Sequence, residues 1–427
     1  MGFTKPVEHS NTTQKEGDYM NPLYVGIDVS SKSNVVYLML PDGAKHSSFS
    51  VANSQDGSSQ MVKRILSAIT SHSLDTVVIG LEATSVYGDN LVYFLREDAS
   101  LAPFNRKIHV LNPRQVKNFK KAYNDLPKND HVDSFVIADC LRFGRINKEV
   151  YLGDYRYKAL QNLTRARFFA VQNLVKEKQR FINVLFKKYS TMTQQKVFSD
   201  TFSATALAVY EEFESAEALA AMDLQELTDF IMEKGKNRFP DPDAVAKAIQ
   251  KAARSSYRLP KTVNDSINQV LSISITSIKA LDAQIKEFNK AIQAQMELLP
   301  NVLISIPCIG PVISAGIMAE IGDINRFPSQ AQLGKYAGLA WTQNQSGDFE
   351  AENTKLIRSG NRFLKYYLCE GALSLVRCDT EYGTFYHSKY KEVNRHQHKR
   401  ALALTARKFV RMVFRLLKDN RLYRAAE

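Results

Sequence analysis

The stretch LYVGIDVSSKSNVVYLML, residues 23–40, reads as a strand, a tight turn and a second strand. Leu23, Val25 and Ile27 alternate with Tyr24 and Gly26, and Asn34 to Leu40 runs apolar and β-branched, as strands do. Asp28 closes the first strand. A charge in apolar surroundings is costly unless something compensates it. The plainer role for Asp28 is capping the Ser30–Ser31 turn; the sharper one is holding a metal ion.

Outward from this stretch, a third strand is expected at 45–51, with Asp42-Gly43 as the hairpin turn. Ser54 to Ser71 carries a helical period through Met61, Ile65, Leu66 and Ile69. Thr76 to Leu81 is a continuous apolar run, the pattern of a strand buried on both faces, and it ends at Glu82. A helix over Tyr87–Glu97 and a short strand over Lys107–Leu111 follow. Hairpin-linked strands followed by α/β crossovers predict a mixed sheet with helices on both sides. This α/β domain is expected over 22–155, behind a polar, disordered tail at 1–21. Within it, KNDHVDSFVIADCLRFGR, residues 128–145, has helical spacing that puts Asp130 and Asp133 on one face.

From Arg156 the texture changes to long helices. Leu160, Leu163, Val171, Leu174, Phe181 and Leu185 keep a three-four spacing, and Ile267, Leu271, Ile278, Leu281, Ile285, Phe288 and Ile292 form a second seam with Ser274 at a core position. Such helices can pack antiparallel or pair between subunits. A coiled coil is therefore expected over 156–300, interrupted by a helical insertion at about 190–262 with a loop at Pro240 and Pro242. In the last region, 301–427, LISIPCIGPVISAGIMAEIGDINRF reads as helix, sharp turn at Ile309-Gly310, helix. Such a hairpin can offer backbone N–H groups to a phosphate, or simply be a buried helix pair. Residues 333–368 are punctuated by Ser346-Gly347 and Ser359-Gly360, and two basic amphipathic helices close the chain around 370–390 and 399–423.

The 427 residues are 44% hydrophobic and 24% charged, as in an ordinary globular protein, and the net charge of +13 favours a polyanionic partner, nucleic acid or an anionic membrane surface. The excess is clustered. Twelve Lys/Arg against two acids fall between Lys389 and Arg424, and seven against Asp125 alone between Arg106 and Lys128. Two separated patches suit a long polyanion. Arg114, Lys117, Lys120, Lys121, Lys355, Arg358, Arg362, Lys399, Arg400, Arg407, Lys408 and Arg411 are the candidate phosphate contacts. The cysteines, Cys140, Cys308, Cys369 and Cys378, form no CxxC pair and have no histidine at zinc spacing, which argues against structural zinc and a disulfide framework and for a reducing cytoplasm. The longest apolar run, Leu303 to Ala319, contains Pro307 and Pro311 and is short for a membrane span.

The carboxylates Asp28, Glu82, Asp130 and Asp133 stand at strand ends or on one helical face. Strand ends of a mixed sheet can converge, and converging carboxylates repel and titrate together. Mg²⁺, or Mn²⁺, relieves that repulsion with oxygen ligands, and a metal pair can stabilise the attacking and leaving oxygens of a phosphodiester. That combination is the chemistry of an RNase H-like sheet. Asp130 and Asp133 have a plainer role too, as acids in the first turn of a helix. Ser346, in NQSGD, is either a turn residue or an exposed nucleophile near Lys355, Arg358 and Arg362. No Ser-His-Asp arrangement is indicated.

Five segments, YVGIDVSS, GLEATSVYGDNL, KNDHVDSFVIADCLRFGR, IPCIGPVISAGIMAEIGDINRF and NQSGDFEAENTKLIRSGNRFLKYYL, occur in the order found in DEDD-type insertion-sequence transposases. The chain resembles that family, which includes the Piv DNA invertase and the bridge-RNA-guided recombinases, over 22–190 and 265–380. The resemblance implies a RuvC-like RNase H-fold domain, a coiled coil and a C-terminal transposase domain. It places the four acids on Asp28, Glu82, Asp130 and Asp133 and the nucleophile on Ser346. It implies Mg²⁺-dependent strand exchange between donor and target DNA through a 5′-phosphoserine bond, in composite sites of a homodimer or homotetramer in the cytoplasm at the nucleoid. A structured noncoding RNA would choose the DNA partners. A metal-dependent nuclease or Holliday-junction resolvase, with water attacking, is the alternative. Ser85, Asn129, Cys308 and Trp341 depart from the family's usual Gly, Thr, Gly and Pro.

Overall fold

In a computed structural model, residues 21–83, 86–123, 126–127, 129–143, 146, 154–195, 197–342, 345–346, 349–350 and 355–424 are described. Almost all of the segment expected as a tail, together with Ser85, lies outside them. The chain forms two compact units, Met1–Leu152 and Gly153–Glu427.

The first unit is a five-stranded mixed sheet with helices on both faces. Its elements are β1 (Pro22–Val29), β2 (Ser33–Met39), β3 (Lys45–Ala52), α1 (Gln55–Ser71), β4 (Thr76–Glu82), α2 (Asp89–Glu97), β5 (Asn105–Leu111), α3 (Pro113–Lys120) and α4 (Asp130–Arg142). The strand order is β3-β2-β1-β4-β5. Tight turns make β1, β2 and β3 antiparallel, while the crossovers through α1 and α2 make β1, β4 and β5 parallel. Alternation sorts the faces. Leu23, Val25 and Ile27 pack with Val36, Leu38, Met61, Ile65, Leu91 and Leu95 under α1 and α2. Tyr24 and Val78 pack with Val136, Ile137 and Leu141 of α4. On that face Gly26 is required by contact: a Cβ there would lie 2.1 Å from the Ser134 carbonyl oxygen and 2.5 Å from the Ala138 nitrogen.

The second unit is helical. α5 (Tyr155–Lys188) is followed by five shorter helices, α6 (Ser190–Gln195), α7 (Ala204–Glu212), α8 (Ala216–Ala221), α9 (Leu224–Gly235) and α10 (Pro242–Arg254), then by α11 (Lys261–Met296). α5 and α11 run antiparallel, since Arg167 reaches Asn289 at 2.6 Å and Ser274 donates to Glu177 at 2.6 Å. The seam serine thus satisfies its hydroxyl across the helix pair. Phe181, Leu185, Leu271, Ile275 and Ile278 share a core with the insertion helices. A second core gathers α12 (Pro311–Ile321), α13 (Gln330–Tyr336), α14 (Arg362–Cys378), α15 (Thr380–Lys391) and α16 (Gln397–Asp419).

Three details differ from the sequence expectation. The helix expected before α12 is only a 3-10 turn, Val302–Ser305, and the sharp bend falls on Cys308, at φ 59°. The first of the two closing helices is broken at Asp379, which ends α14 and caps α15 by accepting from the Tyr382 N–H at 3.0 Å. Cys308 and Cys378, 70 residues apart, form a disulfide, which overturns the expectation of none. Spacing gave no sign of it because only the packing of α12 beside α14 brings the two together. Among the described residues no helix is long and apolar enough to cross a membrane.

Candidate active site

Register places the first two acids side by side. Ile27 lies opposite Leu81 in the parallel β1–β4 pair, so Asp28 and Glu82 are the next residue on each strand. The region beyond the carboxyl ends of parallel strands is where α/β sheets bind ligands. α4 brings the other two acids. It packs across β1 at Gly26, its Asn129 cap accepts from the Val132 N–H at 2.8 Å, and Asp130 and Asp133 occupy its first turn.

The electrostatics record the convergence. Burial pushes the Asp28 carboxyl up to about 6, and the charges of Asp130, Asp133 and Glu82 push in the same direction, against a backbone hydrogen bond from Val29. Glu82 is raised as well, by burial and then by Asp133. Burial and nearby like charge both disfavour an ionised carboxylate. Asp133 is paired with the Lys120 ammonium of α3 at 2.6 Å.

Among the described residues no three His, Cys, Asp or Glu side chains already close into a metal-holding group. The donor set nevertheless suits a hard divalent cation: it is all carboxylate, and Asp28 and Glu82 are raised by burial and by neighbouring acid charge that such a cation would relieve. Asp28, Glu82, Asp130 and Asp133 are the residues that would hold it.

Neighbouring contacts were not foreseen in the sequence. Ser48 on β3 and His131 on α4 share a hydrogen bond at 2.8 Å, tying the start of α4 to the sheet. The buried Asp139 takes a short hydrogen bond from the Tyr123 hydroxyl and one from Arg142 Nε at 2.7 Å. Lys120, a candidate phosphate contact, pairs with Asp133. The only sequence signal for it was a lysine on an amphipathic helix near an acidic one.

Ser346 belongs to the second unit. It pairs with Phe349 in the small hairpin β6 (Gln345–Ser346) and β7 (Phe349–Glu350); residues 343–344, 347–348 and 351–354 lie outside the described ones. The base of this excursion is defined. Thr342 N–H donates to the Lys355 carbonyl at 2.8 Å, Ile357 N–H donates to that of Ala340 at 2.9 Å, and Trp341 bridges Leu356. Below it Gly338 and Gly360 cross so closely that a Cβ on Gly360 would lie 2.5 Å from Gly338 Cα. Asn361 then caps α14, accepting from the Phe363 and Leu364 N–H groups at 3.0 Å each, while its amide donates to the buried Glu320 at 2.7 Å. Glu320 also takes Arg165 at 2.7 and 2.8 Å and Gln161 at 3.1 Å. Sequence reading passed over Glu320, which sits in an apolar run and shows its role only through partners more than forty residues away.

The basic candidates divide. Arg114, Lys117, Lys121, Lys355, Arg358, Lys399 and Arg411 are exposed, as is Arg362, which stacks on Phe169 and Phe363. Arg400 pairs with Glu392 and Lys408 with Glu381, while Arg407 donates to the Gln330 carbonyl.

Comparison with known proteins gives two family matches. The IS110 DEDD transposase model covers residues 25–189, and the model described as transposase IS116/IS110/IS902 family covers 301–387. The uncharacterized 44.8 kDa protein of insertion element IS116 from Streptomyces clavuligerus is 26% identical over 77% of this chain and 80% of its own. The uncharacterized 42 kDa protein of IS900 from Mycobacterium paratuberculosis is 24% identical over 95% and 98%. The transposase of IS1111A from Coxiella burnetii is 27% identical over 26% and 31%.

Proposed function

We propose that the chain, whose residues 25–189 and 301–387 match models of IS110/IS116-family transposases, is an insertion-element transposase of that family and that it cuts and exchanges DNA strands with Ser346 as nucleophile at the acids around Asp28. The family is typically divalent-metal dependent. The observation that carries the reading is the convergence of Asp28, Glu82, Asp130 and Asp133 at the carboxyl ends of two parallel strands, with Asp28 driven up to about 6. The mixed sheet with its acids at that end is read as an RNase H-like, RuvC-like domain.

A divalent cation bound by these carboxylates would draw charge from a phosphate oxygen and favour ionisation of the attacking hydroxyl. The Ser346 oxygen forms a bond to phosphorus as the bond from phosphorus to the 3′ oxygen breaks, leaving a 5′-phosphoserine and a free 3′ hydroxyl. The serine proton passes to a carboxylate of the acidic site, and the 3′ oxygen takes up a proton as it leaves. A 3′ hydroxyl of the second strand then reverses the step, so the phosphodiester is exchanged with no external energy source. Exposed lysines and arginines hold the backbones. In this reading the serine of one subunit serves the acids of another, and a noncoding RNA from the element pairs with donor and target.

The test uses a supercoiled plasmid carrying the element's ends and its noncoding flank, with Mg²⁺. Wild type is expected to leave a covalent protein–DNA adduct on a denaturing gel, and both Ser346→Ala and Asp28→Asn to lose it. Cleavage by Ser346→Ala at the wild-type rate would show that water attacks and that the serine is only a turn residue. Exchange that proceeds unchanged on a plasmid without the noncoding flank would remove the RNA from the scheme.

A further inference from the structure

The acid-bearing end of the sheet has a second feature on the α1–α2 face. A cavity of about 480 Å³ opens there, with Ser31, Asn53, Gln55, Tyr87, Asn90 and Phe94 among its walls. That volume is in the range of small-molecule sites. Its walls grow from the same strand ends as the acids: Ser31 lies three residues beyond Asp28, and Val86, also in the lining, four beyond Glu82. Asn53 ties the walls together, its amide donating to the Ser30 carbonyl at 2.8 Å and the Tyr87 carbonyl at 3.2 Å. Behind it Asn34, fully buried, donates to Asn53 at 3.3 Å, while its own Oδ1 has no donor among the described residues.

The chemistry of the lining narrows the occupant. Among the described residues it holds no charged side chain, so nothing there neutralises a phosphate or a cation. It is too polar for a hydrocarbon. Asn53 is spent holding the walls, but Gln55 and Asn90, both exposed, each carry a donor and an acceptor in one plane, the pattern that complements the edge of a nucleobase. Tyr87, 47% exposed at the rim, and Phe94 offer faces for stacking. We propose that this cavity takes a single nucleobase, turned out of a DNA strand whose phosphate lies at Asp28 and Glu82. The proposal rests on reading those acids as the phosphodiester site. It gives the turned-out base a partner surface that offsets lost stacking, and lets the protein hold the nucleotide beside the scissile bond.

The test is ligand-observed saturation-transfer NMR on the full chain with each of the four deoxynucleoside 5′-monophosphates, and with deoxyribose 5-phosphate as the probe lacking a base. Saturation is expected on the base protons of at least one nucleotide and to be absent for deoxyribose 5-phosphate. Asn90→Ala and Gln55→Ala, checked for folding by circular dichroism, should each weaken that nucleotide roughly tenfold, as loss of a hydrogen bond does. No base-proton saturation with any nucleotide, equal saturation of the sugar phosphate, or unchanged binding in both variants would overturn the proposal. The readout is separate from cleavage: if Ser346→Ala cuts DNA normally, the nucleophile assignment fails and base binding stands or falls on its own result.

Discussion

Replacing Gly26 by alanine tests the contact on which the acidic site depends. The new methyl would sit 2.1 Å from the Ser134 oxygen and 2.5 Å from the Ala138 nitrogen, where ordinary contact begins at 3.4 Å. Both obstacles are backbone of α4, so no rotamer change relieves them, and the helix must withdraw by more than an ångström. Overpacking of this kind costs about 1–3 kcal/mol, and with a rigid obstacle the upper end applies. For a unit of this size that lowers Tm by roughly 6–12 °C. Because α4 carries Asp130 and Asp133, its withdrawal also opens the carboxylate cluster and should weaken the proposed Mg²⁺-dependent cleavage more than the stability loss alone would. Gly80→Ala is the control. Its methyl meets the Leu141 Cδ1 at 2.8 Å, the tip of a side chain that can turn aside, so its cost should stay below about 1 kcal/mol. Thermal melting of the full chain, with hydrogen exchange over β1 and α4 to localise the effect, measures both. A Gly26→Ala protein that melts no lower than Gly80→Ala, with unchanged exchange at α4, would refute the packing argument.

Other expectations concern the helical unit. Glu320→Ala strands Arg165 and should cost about 3 kcal/mol by chemical denaturation, most of it recovered when Arg165→Leu is added; additive losses in the double variant would refute the pairing. Lys188, 1% exposed and donating to the Tyr210 carbonyl at 3.0 Å, has its pKa lowered by burial from 10.5 to about 8. The unfolded chain therefore binds more protons between those values, so stability is lowest below pH 8 and rises towards pH 10.5, by up to about 3 kcal/mol. Lys188→Met should raise Tm at pH 7 and flatten that rise; a parallel pH profile would contradict it. Opening the Cys308–Cys378 link, which spans 70 residues, should cost up to about 4 kcal/mol. Reductant on wild type and Cys378→Ser should lower Tm alike, and a wild-type melt indifferent to reductant would show that the link contributes nothing.

Much of the first unit was legible because its signals are local. Alternation in residues 23–40, the Asp42-Gly43 turn and the unbroken run from Thr76 declared the strands, and each needs only a few neighbouring residues to express it. The candidate acids stood out because carboxylates at strand ends are rare without a reason. Helix limits set by a single cap, such as Asp379, were blurred because one polar residue in an amphipathic stretch has little weight in a periodicity.

By itself the sequence determined the strands, the helical seams and the segregation of basic charge, and it offered four carboxylates as candidates. Tertiary structure alone decided that Lys120 would meet Asp133, that Glu320 would gather Arg165, Gln161 and Asn361, and that Cys308 would find Cys378. The reason is range. Backbone preference and hydrophobic period act over a turn or a strand, whereas a partner tens of residues away is chosen by which faces pack, and Gly26, by letting α4 close on β1, makes that choice for the acidic site.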